Sequence, residues 1–313
     1  MEKSETARKD SYWGRKKGFH KFVLVASLFF LVVVGIFLSA HQAPYAPDQF
    51  FIVAFVVAIV IGEAKDFLRD WTPPILLILA YEYLRSLIPT LRIPTHFFPM
   101  IRFDQFFFGG RLPTQILQNL FFNPAHLQWY DYLSSILYSS FFVVPLVIAF
   151  LFWLTDRPAF ERYVIGMVGL FYMGYLTYLF FPAAPPWLAS QSGFIHPAIV
   201  HVSDIISAHF YSFIALPTVY RYFASNPVAA VPSLHAAYAV LTGLFLCRKD
   251  RRWFVPAFLY GAGVCIAVIY LGEHYFFDVV LGILYAVVVY EIVARWNWDA
   301  VKKKLRMARP RAW

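Results

Sequence analysis

Two histidines in short motifs are the residues of this chain best suited to chemistry. His235 lies in the sequence VPSLH, and His274 lies in GEHYFFD, four residues before Asp278. An ionisable side chain is costly inside a lipid bilayer and is rare there unless it has a function. Because residues four apart share one face of a helix, the Asp278 carboxylate should contact His274. Such a carboxylate fixes the tautomer of the imidazole and leaves the second ring nitrogen free to attack.

The residues before His235 predict the start of a helix that can receive an anion. Ser233 is a good N-cap, and Pro232 suits the first turn of a helix. The free amides at such a start bind phosphate groups. An imidazole placed there can protonate a leaving alkoxide and later deprotonate an incoming hydroxyl. The two motifs therefore predict a covalent phosphohistidine mechanism, with His274, Asp278 and His235 as the catalytic residues.

Metal binding is the chemical alternative for the same side chains. Two imidazoles and a carboxylate can hold zinc, and Glu273 adds a possible oxygen ligand. No recognised zinc spacing is present, and Cys247 and Cys265 lie in or next to apolar runs. We therefore expect no metal and no other cofactor. Six further histidines are interpreted as ordinary interfacial residues: His20, His41, His126, His196, His201 and His209.

The composition is that of a polytopic membrane protein. Of 313 residues, 60% are hydrophobic and only 14% are charged, whereas a soluble protein of this size needs more surface charge. The net charge of +9 does not indicate nucleic-acid binding, because the basic residues cluster beside apolar runs. We expect an all-α bundle of about eight transmembrane helices. The candidate spans are Phe22–Ala40, Phe51–Leu68, Pro74–Thr90, Leu133–Leu154, Tyr163–Phe181, Pro232–Cys247, Phe254–Leu271 and Tyr275–Arg295.

The basic residues also predict the orientation of the spans. With both termini in the cytoplasm, the Arg- and Lys-rich connections face inward, most clearly the loop from Arg248 to Arg252. His235 then begins the sixth span from the outside, and His274 with Asp278 begins the eighth from the outside. The three groups are therefore expected at one depth, near the extracytoplasmic or lumenal surface.

The chain divides into four predicted regions. Residues 1–92 hold the basic N-terminus and three spans, 131–295 form the catalytic membrane core, and 296–313 form a basic cytoplasmic tail. Residues 93–130 are too apolar for a free loop, yet their prolines and glycines interrupt any span. We expect this region to form interfacial or re-entrant helices in the headgroup layer.

Four segments resemble a known family. The sequences PSLH and GEHYFFD are similar to two motifs of the type 2 phosphatidic acid phosphatase superfamily, and FPAAPPW and DQFFFGGRLP resemble its inositol phosphorylceramide synthase branch. The resemblance implies a core of six helices. It also implies that His274 is the nucleophile, that Asp278 orients it, and that His235 is the acid and base.

The chain departs from the superfamily where phosphate is usually clamped. No KxxxxxxRP motif stands ahead of the two histidine motifs and no SR pair is present, and Tyr270 and Leu271 stand near the expected arginine. The clamp must come from elsewhere, and a bidentate arginine is the natural choice. The segment FPAAPPW either ends a helix and stiffens a loop or forms part of the site. The substrate-binding candidates are Ser233, Arg221, Arg111, Arg102, Asp104, Pro186, Trp187 and Tyr275.

The expected function is transfer of a phospho-headgroup, with phosphoinositol as the candidate, from a donor phospholipid to a lipid hydroxyl. A phosphatase acting on polyprenyl or diacylglycerol phosphates is the alternative enzyme, since only the acceptor differs. The non-enzymatic alternative is a proton-coupled lipid transporter that uses His274 and Asp278 as a proton relay. The expected partners are membrane lipids rather than nucleic acid, and the sequence leaves the oligomeric state open.

Overall fold

The computed structural model describes residues 47–210 and 226–295. The predicted span Phe22–Ala40, both basic termini and Arg221 lie outside the described residues. Twelve α-helices and no β-strand are present within them, which confirms the all-α prediction. The helices are α1 (Pro47–Val60), α2 (Ala64–Leu87), α3 (Phe98–Phe107), α4 (Pro113–Phe121), α5 (Trp129–Ser139), α6 (Val144–Thr155), α7 (Arg157–Phe180), α8 (Pro186–Gln191), α9 (Val202–Phe210), α10 (Leu234–Lys249), α11 (Phe254–Tyr270) and α12 (Phe276–Arg295).

Several of these helices are long and apolar enough to cross a bilayer. Four qualify among the described residues, namely Ala64–Leu91, Arg157–Phe180, Arg251–Tyr270 and Phe276–Arg295. The pair α5 and α6 makes a fifth if it is one span bent by 51°. Helix α10 has 16 residues, and α1 is also apolar but short. The chain is an integral membrane protein, and a total of eight spans stays a prediction.

The predicted boundary between the second and third spans is wrong. The chain turns at Gly62, whose φ is +77°, and α2 then continues through Pro73 and Pro74. The third span was expected to begin at Pro74, and proline lacks the N–H that an interior turn uses. Membrane helices tolerate proline where neighbouring groups satisfy the freed carbonyls. The glycine next to Glu63 was the better signal for the break.

Helices α1 and α2 pack through aromatic side chains. The Phe67 and Trp71 rings are stacked with centroids 5.5 Å apart. Phe51 of α1 meets Trp71 edge to face at 5.9 Å. Farther along α2, Tyr81 contacts Phe171 of α7, with centroids 4.5 Å apart. The second half of α2 therefore packs on the helix that also supports α10.

Helix α10 lies among α7, α11 and α12 and packs against all three. Glycine permits its closest contact with α12. A Cβ atom added to Gly282 would lie 2.3 Å from the Ser233 carbonyl oxygen, so any larger residue would push the two backbones apart. The start of α10 is thus held against the first turns of α12.

Residues 93–130 contain two short helices. Helices α3 and α4 are joined by a turn in which Gly109 and Gly110 have positive φ, a conformation that glycine adopts without strain. Phe106 and Phe121 are large apolar side chains exposed on this pair. Exposed apolar surface of this kind suits contact with lipid, and the location in the headgroup layer stays a prediction.

Candidate functional site

The structure brings His235 and His274 together. His235 lies in the first turn of α10, and His274 lies two residues before α12 begins. The His235 Nδ1 and His274 Nε2 atoms are 3.3 Å apart, and the ring centroids are 5.4 Å apart. The two helix starts therefore place two imidazoles within reach of one phosphate group.

The neighbours of His274 determine which of its nitrogens holds the proton. His274 Nδ1 lies 3.0 Å from the Ala230 carbonyl oxygen and 3.3 Å from Asp278 Oδ2. A carbonyl oxygen only accepts hydrogen bonds, so Nδ1 must donate. The lone pair is then on Nε2, the atom that faces His235. The ring is oriented as a nucleophile would need, and its side chain is nearly buried.

Asp278 joins the two motifs through both its carboxylate and its backbone. Its Oδ2 accepts from the Tyr275 amide at 2.9 Å as well as contacting His274. Its carbonyl oxygen accepts from the Ser233 amide, also at 2.9 Å. The carboxylate is fully buried, and its Oδ1 has no hydrogen-bond partner among the described residues. One residue thus fixes the His274 ring and the turn that leads to His235.

The His235 ring is held between two aromatic side chains. Tyr138 stacks on it with centroids 4.4 Å apart and planes 20° apart, and Phe141 lies on it at 4.5 Å. Since His274 Nε2 has the lone pair, His235 Nδ1 is the donor in the contact between them. His235 Nε2 is buried and finds no hydrogen-bond partner within the described chain. The ring thus has one nitrogen toward His274 and one that has no hydrogen-bond partner among the described residues.

Ser233 is the N-cap of α10, as predicted. Its Oγ accepts from the Ala236 amide at 3.4 Å, and the residue is fully buried. Tyr178 of α7 donates its hydroxyl to the Pro232 carbonyl oxygen at 3.0 Å. The turn before His235 is therefore fixed from α7 and α12 together.

The FPAAPPW segment fixes the carbonyl that orients His274. Ala183 N donates to Val228 O at 2.8 Å, and Ala183 O accepts from Ala230 N at 3.2 Å. On its other side, the segment exchanges two backbone hydrogen bonds with His96. Ala230 is the residue whose carbonyl contacts His274. The segment thus has a scaffold role directly beside the site.

Pro186 and Trp187 begin the short helix α8 next to the same loop. Pro186 is buried in the first turn of α8. Trp187 donates its backbone N–H to Gly272 O at 3.1 Å. Its indole stacks on His201, with centroids 4.6 Å and planes 12° apart. These contacts locate both residues beside the loop that leads to His274.

A polar cluster around His201 was missed by the sequence analysis. His201 was expected to be an ordinary interfacial residue, but its Nε2 lies 3.0 Å from Glu273 Oε1 and its Nδ1 lies 2.7 Å from Asp204 Oδ2. Ser203 also donates to Glu273, at 2.7 Å. Burial lowers the pKa of His201, but the two carboxylates outweigh burial and raise it. The cluster ties the residue before His274 to the start of α9.

The hydrogen bonds of this cluster lower the pKa of Glu273, whereas they raise the pKa of His201. Burial raises the pKa of Glu273, yet the hydrogen bonds from His201 and Ser203 hold it below its usual value. A carboxylate directly before His274 was visible in the sequence. Its partner lies 72 residues earlier, and no local pattern links the two.

Asp104 caps α12 from a distant part of the chain. Its Oδ2 accepts from Phe276 N at 2.9 Å, and its Oδ1 accepts from Phe277 N at 3.0 Å. Burial raises the pKa of Asp104 to about 7, although both amides favour the ionised form. Tyr275 lies alongside, fully buried, with a hydroxyl that has no partner among the described residues. Asp104 therefore binds the start of the helix that holds Asp278.

The arginines proposed as phosphate clamps do not join this group in the part of the chain described. Arg102 and Arg111 are exposed, and the Arg102 guanidinium lies 5.9 Å from the centre of the Phe98 ring. Arg221 lies outside the described residues. Across residues 47–210 and 226–295, no three His, Cys, Asp or Glu side chains form a group able to hold a metal ion.

The part of the chain that matches known proteins contains the same motifs. Residues 111–292 match the family model of the PAP2 superfamily, a range that includes both histidine motifs and FPAAPPW. The phosphoinositol dihydroceramide synthase of Bacteroides thetaiotaomicron is 30% identical over 169 residues, covering 52% of this chain and 55% of that protein. No solved structure matches the chain.

Two fungal proteins match over more of the chain. The inositol phosphorylceramide synthase of Candida albicans is 25% identical over 327 aligned positions, covering 94% of this chain and 64% of that protein. The inositol phosphorylceramide synthase catalytic subunit of Schizosaccharomyces pombe is 26% identical, covering 80% of this chain and 55% of that protein. The chain thus spans between about half and two thirds of the length of each relative. Since the family model matches more than half of the chain, the protein belongs to the PAP2 superfamily.

Proposed function

We propose that the protein is a membrane phosphotransferase that moves a phosphoinositol headgroup from a donor phospholipid to the hydroxyl of a ceramide-like lipid. The hydrogen-bonded series Asp278, His274, His235 is the observation that supports it, because it pairs a lone pair on one imidazole with a proton on the next. The names of the relatives supply the headgroup and the acceptor class.

The first step would transfer the headgroup to the protein. His274 Nε2 attacks the phosphorus of the donor, and the bond between phosphorus and the diacylglycerol oxygen breaks. The anionic phosphate of the bound donor favours the imidazolium form of His235, which takes up a second proton as the donor binds. His235 then gives a proton to the departing oxygen, so that a neutral alcohol leaves. Asp278 and the Ala230 carbonyl stabilise the positive charge that develops on the His274 ring. The product is an inositol phosphoramidate, in which phosphorus has one ester bond to inositol and one bond to His274 Nε2.

The second step would reverse the roles. The acceptor hydroxyl gives its proton to His235 while its oxygen attacks phosphorus, and the bond from phosphorus to His274 Nε2 breaks. His274 recovers its lone pair and His235 its second proton, so the cycle closes without a net change in the protein. Water in place of the lipid hydroxyl would give hydrolysis. The apolar pair α3 and α4 beside α12 would favour transfer by limiting the access of water.

We also propose that the site faces the extracytoplasmic or lumenal side, with both termini in the cytoplasm. The basic loop between α10 and α11 supports this orientation, since Arg248, Lys249, Arg251 and Arg252 lie at the ends of those helices opposite His235 and the His274 loop.

The test uses purified full-length protein in liposomes that contain phosphatidylinositol labelled in the inositol ring, with ceramide as acceptor. We expect the label to move to a new lipid in proportion to added ceramide. Release of water-soluble label irrespective of ceramide would replace the proposal with a phosphatase. An unchanged lipid label together with pH-driven movement of lipid between leaflets would support the transporter instead.

A further inference from the structure

The polar cluster around His201 has no role in the mechanism above. The His201 ring lies between two carboxylates, with Nδ1 2.7 Å from Asp204 Oδ2 and Nε2 3.0 Å from Glu273 Oε1. An ionised carboxylate only accepts hydrogen bonds, whereas a neutral imidazole has a single N–H to donate. Both ring nitrogens must therefore be protonated for both contacts to be hydrogen bonds. The geometry is that of an imidazolium that bridges two carboxylates.

Burial makes the Glu273 half of this bridge the more important one. The side chains of His201 and Glu273 are 16% and 14% exposed, whereas that of Asp204 is 74% exposed. An exposed ion pair contributes little, because water screens it. A buried carboxylate that loses its partner is costly, since its charge is left without compensation. His201 therefore holds Glu273 firmly, and Ser203 adds a hydrogen bond at 2.7 Å.

Glu273 directly precedes His274 in the turn that joins α11 to α12. Gly272 in this turn has a φ of +84°, and its carbonyl oxygen accepts from the Trp187 amide at 3.1 Å. The Glu273 and His274 amides both donate to the Val268 carbonyl oxygen at 3.1 Å. These contacts involve the backbone, and the Glu273 carboxylate anchors the same turn through a side chain.

We infer that His201, in its imidazolium form, is a positioning residue for the nucleophile. By holding the Glu273 carboxylate, it fixes the turn from which His274 points toward His235. A displacement of about 1 Å in a reacting group can cost a factor of about a hundred in rate, so an anchor of this turn affects catalysis directly. The inference rests on the proposed function in that His274 must be the nucleophile, and it is independent of the donor headgroup and of the acceptor.

The first test separates turnover from substrate binding in the purified full-length protein. Rates are measured with phosphatidylinositol and ceramide, and with an aryl phosphate donor whose release of aryl alcohol reports attack by His274 without a lipid acceptor. His201→Ala should lower kcat on both donors by about tenfold to a hundredfold. KM should stay close to that of the parent, because His201 acts through His274 and not on the substrate. His126→Ala is the control, since His126 is an exposed histidine, and it should match the parent.

Further variants separate positioning from folding. His201→Arg keeps a positive charge, and its planar fork can donate to both carboxylates while stacking on Trp187, so it should recover most of the parent rate. His201→Gln is neutral and should be nearly as slow as His201→Ala. The double variant of His201→Ala with Glu273→Ala should be no slower than Glu273→Ala alone, because both changes remove the same bridge.

The charge on His201 also has a spectroscopic signature that needs no activity. The Trp187 indole stacks on the His201 ring, with centroids 4.6 Å apart. A cation interacts with the face of an indole, and a protonated imidazole in that position quenches indole fluorescence more than a neutral one does. The difference in emission between the parent and Trp187→Phe isolates the signal of Trp187.

The pH at which this signal changes reports the protonation of His201. The elements packed around the ring contribute Trp187 from α8, Asp204 from α9 and Glu273 from the turn before α12. Burial lowers the pKa of His201, yet the two carboxylates raise it above its ordinary value. Trp187 emission should therefore increase at a pH above the ordinary histidine midpoint of about 6.5. In Glu273→Gln the increase should occur at a lower pH.

The outcomes distinguish this inference from the proposed function. Three results would overturn the role of His201 and leave the transferase intact: a parent-like kcat in His201→Ala, no advantage of His201→Arg over His201→Gln, or a Trp187 signal that changes at or below the ordinary midpoint. Release of aryl alcohol that depends on His201 in a protein that transfers no headgroup from phosphatidylinositol would preserve the positioning role and refute the transferase. A parent inactive on both donors would overturn both.

Discussion

The Ser233 amide donates a hydrogen bond to the Asp278 carbonyl oxygen at 2.9 Å, joining the turn before His235 to the first turn of α12. Asp278 also contacts His274 through its carboxylate. A single residue therefore sets the relative position of two imidazoles that are 39 residues apart in the chain. Catalysis by the pair depends on this alignment, because general acid and base groups act only within hydrogen-bonding distance of the reacting atoms.

Gly282→Ala should break this alignment. The added Cβ would lie 2.3 Å from the Ser233 carbonyl oxygen, so the backbones of α10 and α12 would have to separate. We expect a loss of about 1–3 kcal/mol in the free energy of unfolding, typical of overpacking, together with a large loss of activity. Thermal unfolding in detergent and headgroup transfer measure the two effects.

Gly261→Ala in α11 is the matched control. Nothing lies within 4 Å of a Cβ at that position, so alanine should be neutral or stabilise by about 0.5–1 kcal/mol through its better helix propensity. If Gly282→Ala behaved like Gly261→Ala, the close contact at Ser233 would not limit the site.

His274→Ala should abolish headgroup transfer while the protein remains folded, since no neighbouring group can replace the nucleophile. We expect a loss of at least about a thousandfold, in the range seen when a nucleophile is removed from other hydrolytic sites. Asp278→Asn should leave a measurable trace, because Asp278 orients His274 rather than attacking. Transfer rates at saturating donor distinguish the two variants. A fully active His274→Ala protein would exclude the phosphohistidine route.

Local patterns in the sequence were sufficient for several parts of the site. The predicted contact of His274 with Asp278 is present, although His274 lies two residues before α12 and not on its face, and the Ser233 cap was found where its residue type indicated. The long apolar runs predicted the membrane helices, since each run had to satisfy its backbone within itself. These features depend on residues close together in the chain.

Other parts depend on contacts that no local pattern encodes. The Ala230 carbonyl that orients His274 is set by backbone pairing with Ala183, and its side chain has no part in that pairing. Asp104 caps α12 from 172 residues away. The bend between α5 and α6 and the helix through Pro73 and Pro74 also depend on tertiary packing that overrides local propensity. Such contacts can be found only once the chain is folded.

The Asp104 carboxylate should make stability fall as pH rises. Its pKa is raised to about 7 from 3.8 because of burial, so between these values the folded protein holds a proton that the unfolded chain releases. The slope of unfolding free energy with pH is then negative, and the stabilisation present below about pH 4 is lost as pH rises through about 7. Thermal unfolding between pH 5 and pH 8 measures the change.

Asp104→Asn should reduce the difference in stability between pH 5 and pH 8, because an amide does not titrate. Asp250→Asn is the control, since Asp250 is exposed and its carboxylate accepts one backbone hydrogen bond, from Arg252 at 2.9 Å. A pH difference in Asp104→Asn as large as in the parent would assign the effect to other groups.

Headgroup transfer should survive strong chelation. The proposed attack comes from an imidazole, and the His274 ring is oriented by a carbonyl and a carboxylate. The measurement is transfer from phosphatidylinositol after prolonged dialysis against a chelator, compared with the untreated protein. Complete loss of activity that zinc or magnesium restored would instead favour a metal held by the histidines and Glu273.

His235→Ala should discriminate between donors according to their leaving groups. His235 is proposed to protonate the departing lipid alkoxide, and a poor leaving group depends on that proton far more than a good one. A donor with an acidic leaving group, such as an aryl phosphate, should therefore form the His274 adduct almost as well without His235, whereas phosphatidylinositol should not.

Tyr138→Ala removes a ring that stacks on His235 and keeps both imidazoles, so it should weaken the reaction of both donors more evenly. The assay follows release of the aryl alcohol and of diacylglycerol in parallel for parent and variants. Equal loss on both donors in His235→Ala would mean that His235 acts before the bond to the leaving group breaks, and the acid role would have to be assigned elsewhere.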